Sequence, residues 1–145
     1  MRPILYVDDE PDDIFFMVRA CKRAGLEEPI ETVNQGSEAI AYLSGTGKYS
    51  NRLRYPMPRL VLLDLNIPGI SGFEILKWIR STPAVSRLPV LVLTSSNQEA
   101  DVRRAHTLGA NGYLVKPGKI EELVRMIKAM KDYWLACDKF SGNRA

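Results

Sequence analysis

Six polar residues stand at the ends of short apolar runs. Asp8 and Asp9 follow Ile4–Val7, Asp64 follows Leu60–Leu63, Thr94 and Ser95 end the run that begins at residue 89, and Lys116 follows residues 113–115. Three carboxylates brought together repel one another, so either one takes a proton or a cation joins them. Oxygen ligands without a nearby histidine or thiolate select a hard ion, and Mg2+ uses one or two carboxylates together with substrate oxygens. A carboxylate on such an ion, flanked by a hydroxyl and an ammonium, is equipped for phosphoryl transfer. Asp64 would attack phosphorus and carry an acyl phosphate. Lys116 and the ion would neutralise the equatorial oxygens, while Thr94 donates a hydrogen bond to the attached group. Taken singly, each residue reads better as a strand terminator; four strand ends that jointly supply one chemistry do not.

That chemistry requires the ends to meet, and the apolar spacing says how. After Ile4–Val7, Pro11, Asp12 and Asp13 form a helix first turn, with proline pre-set in φ and the acids favoured by the helix dipole. Ile14, Met17, Val18 and Cys21 then share one helical face, and Gly25 stops the helix. Ile30–Val33 reads as a short strand, 37–43 as a helix ended near Gly45, and 46–58 as a loop punctuated by Gly47, Pro56 and Pro58. Leu60–Leu63 is a strand buried on both faces. The spacing of Ile75, Leu76 and Ile79 predicts a helix over 73–79. Residues 89–94 and 113–115 read as strands, and 98–108 and 120 to about 136 as helices. The order is βα five times over. Strands with continuous Val, Leu and Ile belong to a parallel sheet covered on both sides, so the chain reads as a doubly wound α/β domain with five helices. Its crevice lies beyond the carboxyl ends of the strands, where all six polar residues converge.

Several other classes are set aside. The chain has 145 residues, enough for one domain with a proper core, of which 46% are hydrophobic and 26% charged. No apolar run approaches the roughly 18 residues of a membrane span. A net charge of +3 without an aromatic-basic tract argues against nucleic acid. Cys21 and Cys137 lack paired spacing, as expected in a reducing cytoplasm. The segment Gly45-Thr-Gly-Lys-Tyr-Ser50 imitates a nucleotide loop, but Tyr42 occupies the position where the first glycine is required. His106, the only histidine, falls on a helix away from every strand end and reads as a surface residue.

Val7-Asp-Asp-Glu10, Leu63-Asp-Leu-Asn-Ile-Pro-Gly69, Leu93-Thr-Ser95 and Gly112-Tyr-Leu-Val-Lys-Pro117, in this order and spacing, resemble the receiver domain of two-component response regulators. The resemblance runs from about residue 2 to 136. It implies a flavodoxin-like strand order 2-1-3-4-5 and a phosphoacceptor, Asp64, that takes its phosphoryl group from a histidine of a sensor kinase. Mg2+ would sit on Asp9, Asp64 and the backbone carbonyl of Asn66, with Asp8 joining through water. Lys116 would pair with the phosphate, Thr94 and Ser95 with Tyr113 would form the switch, and the Lys116–Pro117 bond would be cis. Such a protein catalyses only its own phosphorylation and dephosphorylation.

The receiver domain is expected over 1–136 and a short tail over 137–145, with no output domain. The Asp12-Asp13-Ile-Phe-Phe segment, the extended loop 46–58 and the Trp-bearing last helix are similar to the stand-alone phytochrome-associated regulators. The implied partner is a light-sensing histidine kinase that docks at the first helix, where Phe15, Phe16 and Arg19 are candidate contacts and one phenylalanine is expected in the core. A downstream target or phosphotransfer protein is implied but not identified. Met126, Met130, Tyr133 and Cys137, with Trp134 beside them, form a second stripe on the last helix. That stripe either packs under the chain's own end or pairs two copies through the fourth helix, fifth strand and fifth helix.

Two features depart from the family pattern. Gly118 follows Lys116-Pro117 where a bulky apolar residue is usual, and the 46–58 loop carries Lys48, Arg52 and Arg54 without an acid. That loop reads equally as a solvated surface or a partner site. Two rival functions are a Mg2+-dependent phosphohydrolase and a scaffold that is never phosphorylated. The first lacks the second aspartate two positions after the nucleophile, since Asn66 cannot serve as acid or base. Against the second stands the complete set Asp8, Asp9, Asp64, Thr94 and Lys116.

Overall fold

The computed structural model describes residues 1–135. Strands β1 (Ile4–Val7), β2 (Ile30–Val33), β3 (Leu60–Leu63), β4 (Val90–Thr94) and β5 (Gly112–Val115) alternate with helices α1 (Pro11–Arg23), α2 (Gly36–Ser44), α3 (Gly72–Ser81), α4 (Glu99–Thr107) and α5 (Ile120–Met130). Every strand pair is parallel and the sheet order is β2-β1-β3-β4-β5. This is the flavodoxin-like, doubly wound architecture.

Side chains alternate between the two faces of a strand, so each apolar run feeds two cores. Ile4, Tyr6, Leu60, Leu62, Leu91 and Leu93 pack against Met17 and Ala20 of α1 and Leu123 and Ile127 of α5. Leu5, Val7, Val61, Leu63 and Val90 turn the other way, onto Tyr42 of α2 and Ile75, Leu76 and Ile79 of α3. Val92 extends that second face to Phe73 and to Ala105 of α4. Each fully buried Leu, Ile or Val contributes about 1.5–3 kcal/mol. Two such layers fix the strands firmly enough to hold a charged rim at their ends.

The helix starts follow local chemistry. Pro11 opens α1 with Asp12 and Asp13 in its first turn. Ser71 caps α3, its hydroxyl accepting from the Glu74 amide at 3.3 Å while the Glu74 carboxylate accepts from the Ser71 amide at 3.2 Å. Among the described residues no helix is long and apolar enough to cross a membrane.

Four expectations need correction. Val18 is exposed at 46%, because Met17, Ala20 and Cys21 already fill the inner face of α1. Phe15 and Phe16 are both exposed, at 59% and 47%, so neither belongs to the core. The last helix is α-helical only through Met130 and continues as a wider π turn over Lys131–Leu135. Met130 is buried and prolongs the core stripe of Leu123 and Ile127, with Met126 and Trp134 packed beside it. Of the second stripe, Tyr133 alone among the described residues stands well exposed. Cys137 and the rest of the expected tail lie outside the described residues.

The 46–58 loop is built rather than merely solvated. A 3-10 turn over Gly47–Ser50 buries Tyr49, whose ring lies 4.9 Å from Tyr42 and 5.0 Å from Tyr55 between centroids. The Tyr42 hydroxyl donates to the Pro56 carbonyl at 3.0 Å, and Arg52 donates to the Leu43 and Tyr55 carbonyls, each at 3.0 Å. The loop's other two cations find acids on neighbouring elements: Lys48 lies 3.7 Å from Glu38 and Arg54 3.5 Å from Glu31.

Candidate functional site

Register assembles the site. β1 and β3 are neighbours with Val7 level with Leu63, so Asp8 and Asp64 leave the sheet side by side. Both aspartates fold back in the same way: Asp8 Oδ1 accepts from the Glu10 amide at 2.9 Å and Asp64 Oδ1 from the Asn66 amide at 3.0 Å. These are Asx turns, which fix the carboxylate as they redirect the chain. Thr94 ends β4 opposite Val115, and the Lys116 amide donates to the Thr94 carbonyl at 2.8 Å. The hydroxyl and the ammonium therefore reach the same rim as the carboxylates.

Asp8 and Thr94 are fully buried and Asp64 nearly so. Buried polar groups need partners, and these have them. Asp64 Oδ1 also accepts from the Thr94 hydroxyl at 2.8 Å, and the Asn66 side-chain amide donates to that hydroxyl oxygen at 3.4 Å. Lys116 donates to Asp8 Oδ2 at 2.7 Å, Asp13 Oδ2 at 2.7 Å and Asp64 Oδ2 at 2.8 Å. Burial on its own would lower the Lys116 pKa. The three carboxylates outweigh it and raise the value, so the ammonium stays charged.

The sequence-predicted Asp8, Asp9, Asp64, Thr94 and Lys116 are thus brought together, with Asn66 at the margin. Ser95 is exposed. Its neighbour Ser96 makes the connection instead, since its carbonyl accepts from the Tyr113 hydroxyl at 2.9 Å and its hydroxyl donates to Asp101 at 2.6 Å. Tyr113 is half-buried against the cluster of Leu65, Phe73, Val92 and Ala105. The expected cis bond at Lys116–Pro117 is a further correction: among the described residues every peptide is trans. The two isomers before proline differ by only about 0.5–1 kcal/mol, so a Lys-Pro pair does not dictate one. With a trans bond, Lys116 still reaches all three carboxylates.

Sequence reasoning missed three contributors. Asp13, read there as a helix first-turn acid, turns inward to Lys116; the signal was its place on the β1–α1 rim, five residues after Asp8. Tyr6, two residues before Asp8 on the same side of the chain, donates its hydroxyl to Asp8 Oδ2 at 2.5 Å. Burial first, then that bond and the nearby carboxylates, raise its pKa and keep it a donor. Gly72 lets the start of α3 press against the backbone that carries Asp64. A Cβ there would lie 2.6 Å from Leu65 Cα.

Ligand oxygens of Asp8, Asp9 and Asp64 lie within 4.8 Å of one another, with no histidine or cysteine among them. One ammonium faces four carboxylates, counting Asp13, so the rim carries excess negative charge. An oxygen-only set of this size and sign fits a hard divalent cation.

Comparison with known proteins agrees with this geometry. A model of the response regulator receiver domain matches residues 4–128. The chain is 36% identical over 142 residues to a probable methanogenesis regulatory protein, FilR2, of Methanothrix harundinacea, covering 96% of this chain and 87% of that protein. It is 35% identical to the response regulator Rcp1 of Synechocystis, over 91% of this chain and 88% of that one. Rcp1 in its Mn2+-bound form superposes with a TM-score of 0.82, at 34% identity over 93% of this chain and 95% of that one. The phosphorylated cyanobacterial phytochrome response regulator RcpA gives 0.84 at 33% identity, over 94% of this chain and 96% of that one. By sequence, fold and rim alike, this chain belongs to the response regulator receiver domain family, among relatives that include phytochrome-associated regulators.

Proposed function

We propose that this chain is a phosphorylation switch. Asp64 takes a phosphoryl group from a phosphohistidine of a sensor kinase, in a Mg2+-dependent reaction, and the altered surface is read by a partner. The observation that carries this reading is Asp64 held between the Thr94 hydroxyl and the Lys116 ammonium.

In the transfer, an Asp64 oxygen forms a bond to phosphorus as the phosphorus–nitrogen bond of the donor breaks, and the imidazole leaves with its electron pair. Asp9, Asp64 and the Asn66 backbone carbonyl would hold Mg2+, with Asp8 joining through water. When bound, the ion neutralises developing charge on the phosphoryl oxygens. Lys116 is already aimed at Asp64 Oδ2 and moves an N–H to a phosphoryl oxygen. Thr94 turns its hydroxyl from Asp64 to another. Because Tyr113 holds the Ser96 carbonyl, a shift of Thr94 is carried along 94–96 to the ring of Tyr113. The surface of α4, β5 and α5 is biased in turn. No external substrate is turned over.

The donor we favour is a phytochrome-type histidine kinase, on the likeness to the phytochrome response regulator RcpA. Exposed Phe15 and Phe16, with Arg19, form the α1 face it would cover. The recipient is a downstream target or phosphotransfer protein. Two copies pair through α4, β5 and α5, with Tyr133 in the contact. The reaction is cytoplasmic, in keeping with cysteines that lack paired spacing.

The test is an intact mass after incubation with acetyl phosphate and Mg2+. A single stable phosphoryl adduct, absent in Asp64→Asn and with a chelator, is expected. Rapid multiple turnover would point to a hydrolase, and no adduct to an unphosphorylated scaffold.

A further inference from the structure

We infer that Asp13 is the positioning residue for Lys116, the group that keeps hold of the ammonium when the metal and the phosphoryl group claim its other partners. The inference rests on Asp64 being the phosphoacceptor. A lysine ammonium has three donors, and here all three are spent on Asp8, Asp13 and Asp64, at 2.7, 2.7 and 2.8 Å. These partners are not equivalent. Asp8 and Asp64 belong to the carboxylate set whose ligand oxygens lie within 4.8 Å of one another, and Asp13 does not. With a divalent ion on that set, Asp8 and Asp64 would share their oxygens with it and hold Lys116 less firmly. Asp13 stands on α1, outside the set, and is left to Lys116.

The side chain of Lys116 cannot place its own end. It is a flexible four-carbon stem, and a cation held at one point only swings about it. Gly118, two residues on, adds no wall: a Cβ there would meet nothing within 4 Å. The cavity beside the stem, about 70 Å3 and lined by Tyr6, Phe16, Met17 and Leu123, leaves it room to swing. Asp13 supplies the second fixed point. With one N–H on Asp13 and its stem rooted in the end of β5, Lys116 presents its other two N–H groups to the phosphoryl oxygens.

The test is a double-mutant cycle read by labelling rate with acetyl phosphate at saturating Mg2+. Asp13→Asn, which keeps shape and removes charge, is expected to slow labelling about tenfold. Asp13→Glu, which keeps the carboxylate, restores most of the rate. In a Lys116→Met background the same Asp13→Asn change has no further effect, since a residue acting through Lys116 is silent once Lys116 is gone. Mg2+ titration of the Asp9 and Asn66 amide resonances in unphosphorylated protein shifts by less than about threefold in Asp13→Asn, which separates positioning from general site charge. A wild-type rate in Asp13→Asn, an equal loss in both backgrounds, or a metal affinity that falls as far as the rate would each overturn the inference. Failure of wild-type protein to be labelled would instead overturn the assignment of Asp64.

Discussion

Gly72 has no functional group, yet it sets where Asp64 can stand. Its amide donates to the Leu65 carbonyl at 3.1 Å, which draws the first turn of α3 against the chain leaving β3. A methyl group at this position runs into backbone, the Asp64 carbonyl and Leu65 Cα, and neither can swing aside as a side-chain end would. Gly72→Ala must therefore shift the helix or Asp64. Overpacking of this kind costs about 1–3 kcal/mol. Displacing Asp64 should also slow its labelling, on the order of tenfold or beyond. The variant should keep its far-UV circular dichroism and still label slowly with acetyl phosphate. Labelling at the wild-type rate would show that Asp64 is placed by β3 alone.

At the scale of elements, the 46–58 loop shows what ties an insertion down. Tyr49 joins the rings of Tyr42 and Tyr55 to the core, and its hydroxyl donates to Glu38 at 2.9 Å. Removing that ring leaves a cavity at the foot of α2, worth about 3–5 kcal/mol. We expect Tyr49→Ala to lower the melting temperature by roughly 10 °C. Trypsin should then cut at Arg52 and Arg54, while acetyl phosphate labelling, whose groups lie elsewhere, stays near wild type. Resistance to trypsin in that variant would mean the arginine–carbonyl bonds hold the loop unaided. The loop also marks the limit of sequence reading. Three tyrosines seven and six residues apart have no local period, so their meeting is a tertiary fact. The strands were legible because Leu60–Leu63 and its counterparts need burial on both sides, whatever their neighbours. The rim was legible because parallel strands bring their carboxyl ends to one edge. Asp13 was not, since a helix first turn explains an acid there just as well without any contact to Lys116. Val18 and Met130 were misassigned because a helical stripe gives a direction but not the width of the core it meets.

For the whole molecule, charge gathers at the carboxyl edge of the sheet, apart from the surface of β5 and α5 that we propose a partner reads. Among the described residues of that surface, Tyr133, 60% exposed with its ring 5.1 Å from Trp134, and Val115, 42% exposed at the end of β5, are large apolar side chains that reach solvent. Sedimentation should find wild type as a dimer and Tyr133→Ala shifted to monomer; Met130→Ala would test the core instead. The interior beneath both surfaces sets a pH response whose sign follows from burial. Burial pushes the Cys21 thiol from an ordinary 9.0 up to about 12, and burial chiefly pushes the Tyr42 phenol from 10.0 up to about 12. Tyr6, Tyr49 and Lys116 are raised as well. Each group holds its proton longer in the folded chain than in the unfolded one. Where the native state binds more protons, stability falls as pH rises. Their contribution is therefore complete below pH 9.0 and is lost progressively as pH climbs toward about 12. Urea midpoints measured from neutral pH upward should start to decline near pH 9, when the unfolded chain's Cys21 begins to ionise, and fall more steeply once its tyrosines follow. Cys21→Ala, though less stable throughout, should delay the onset of that decline to the tyrosine range. A midpoint that holds steady well above pH 10 would show that these groups reach solvent in the native state.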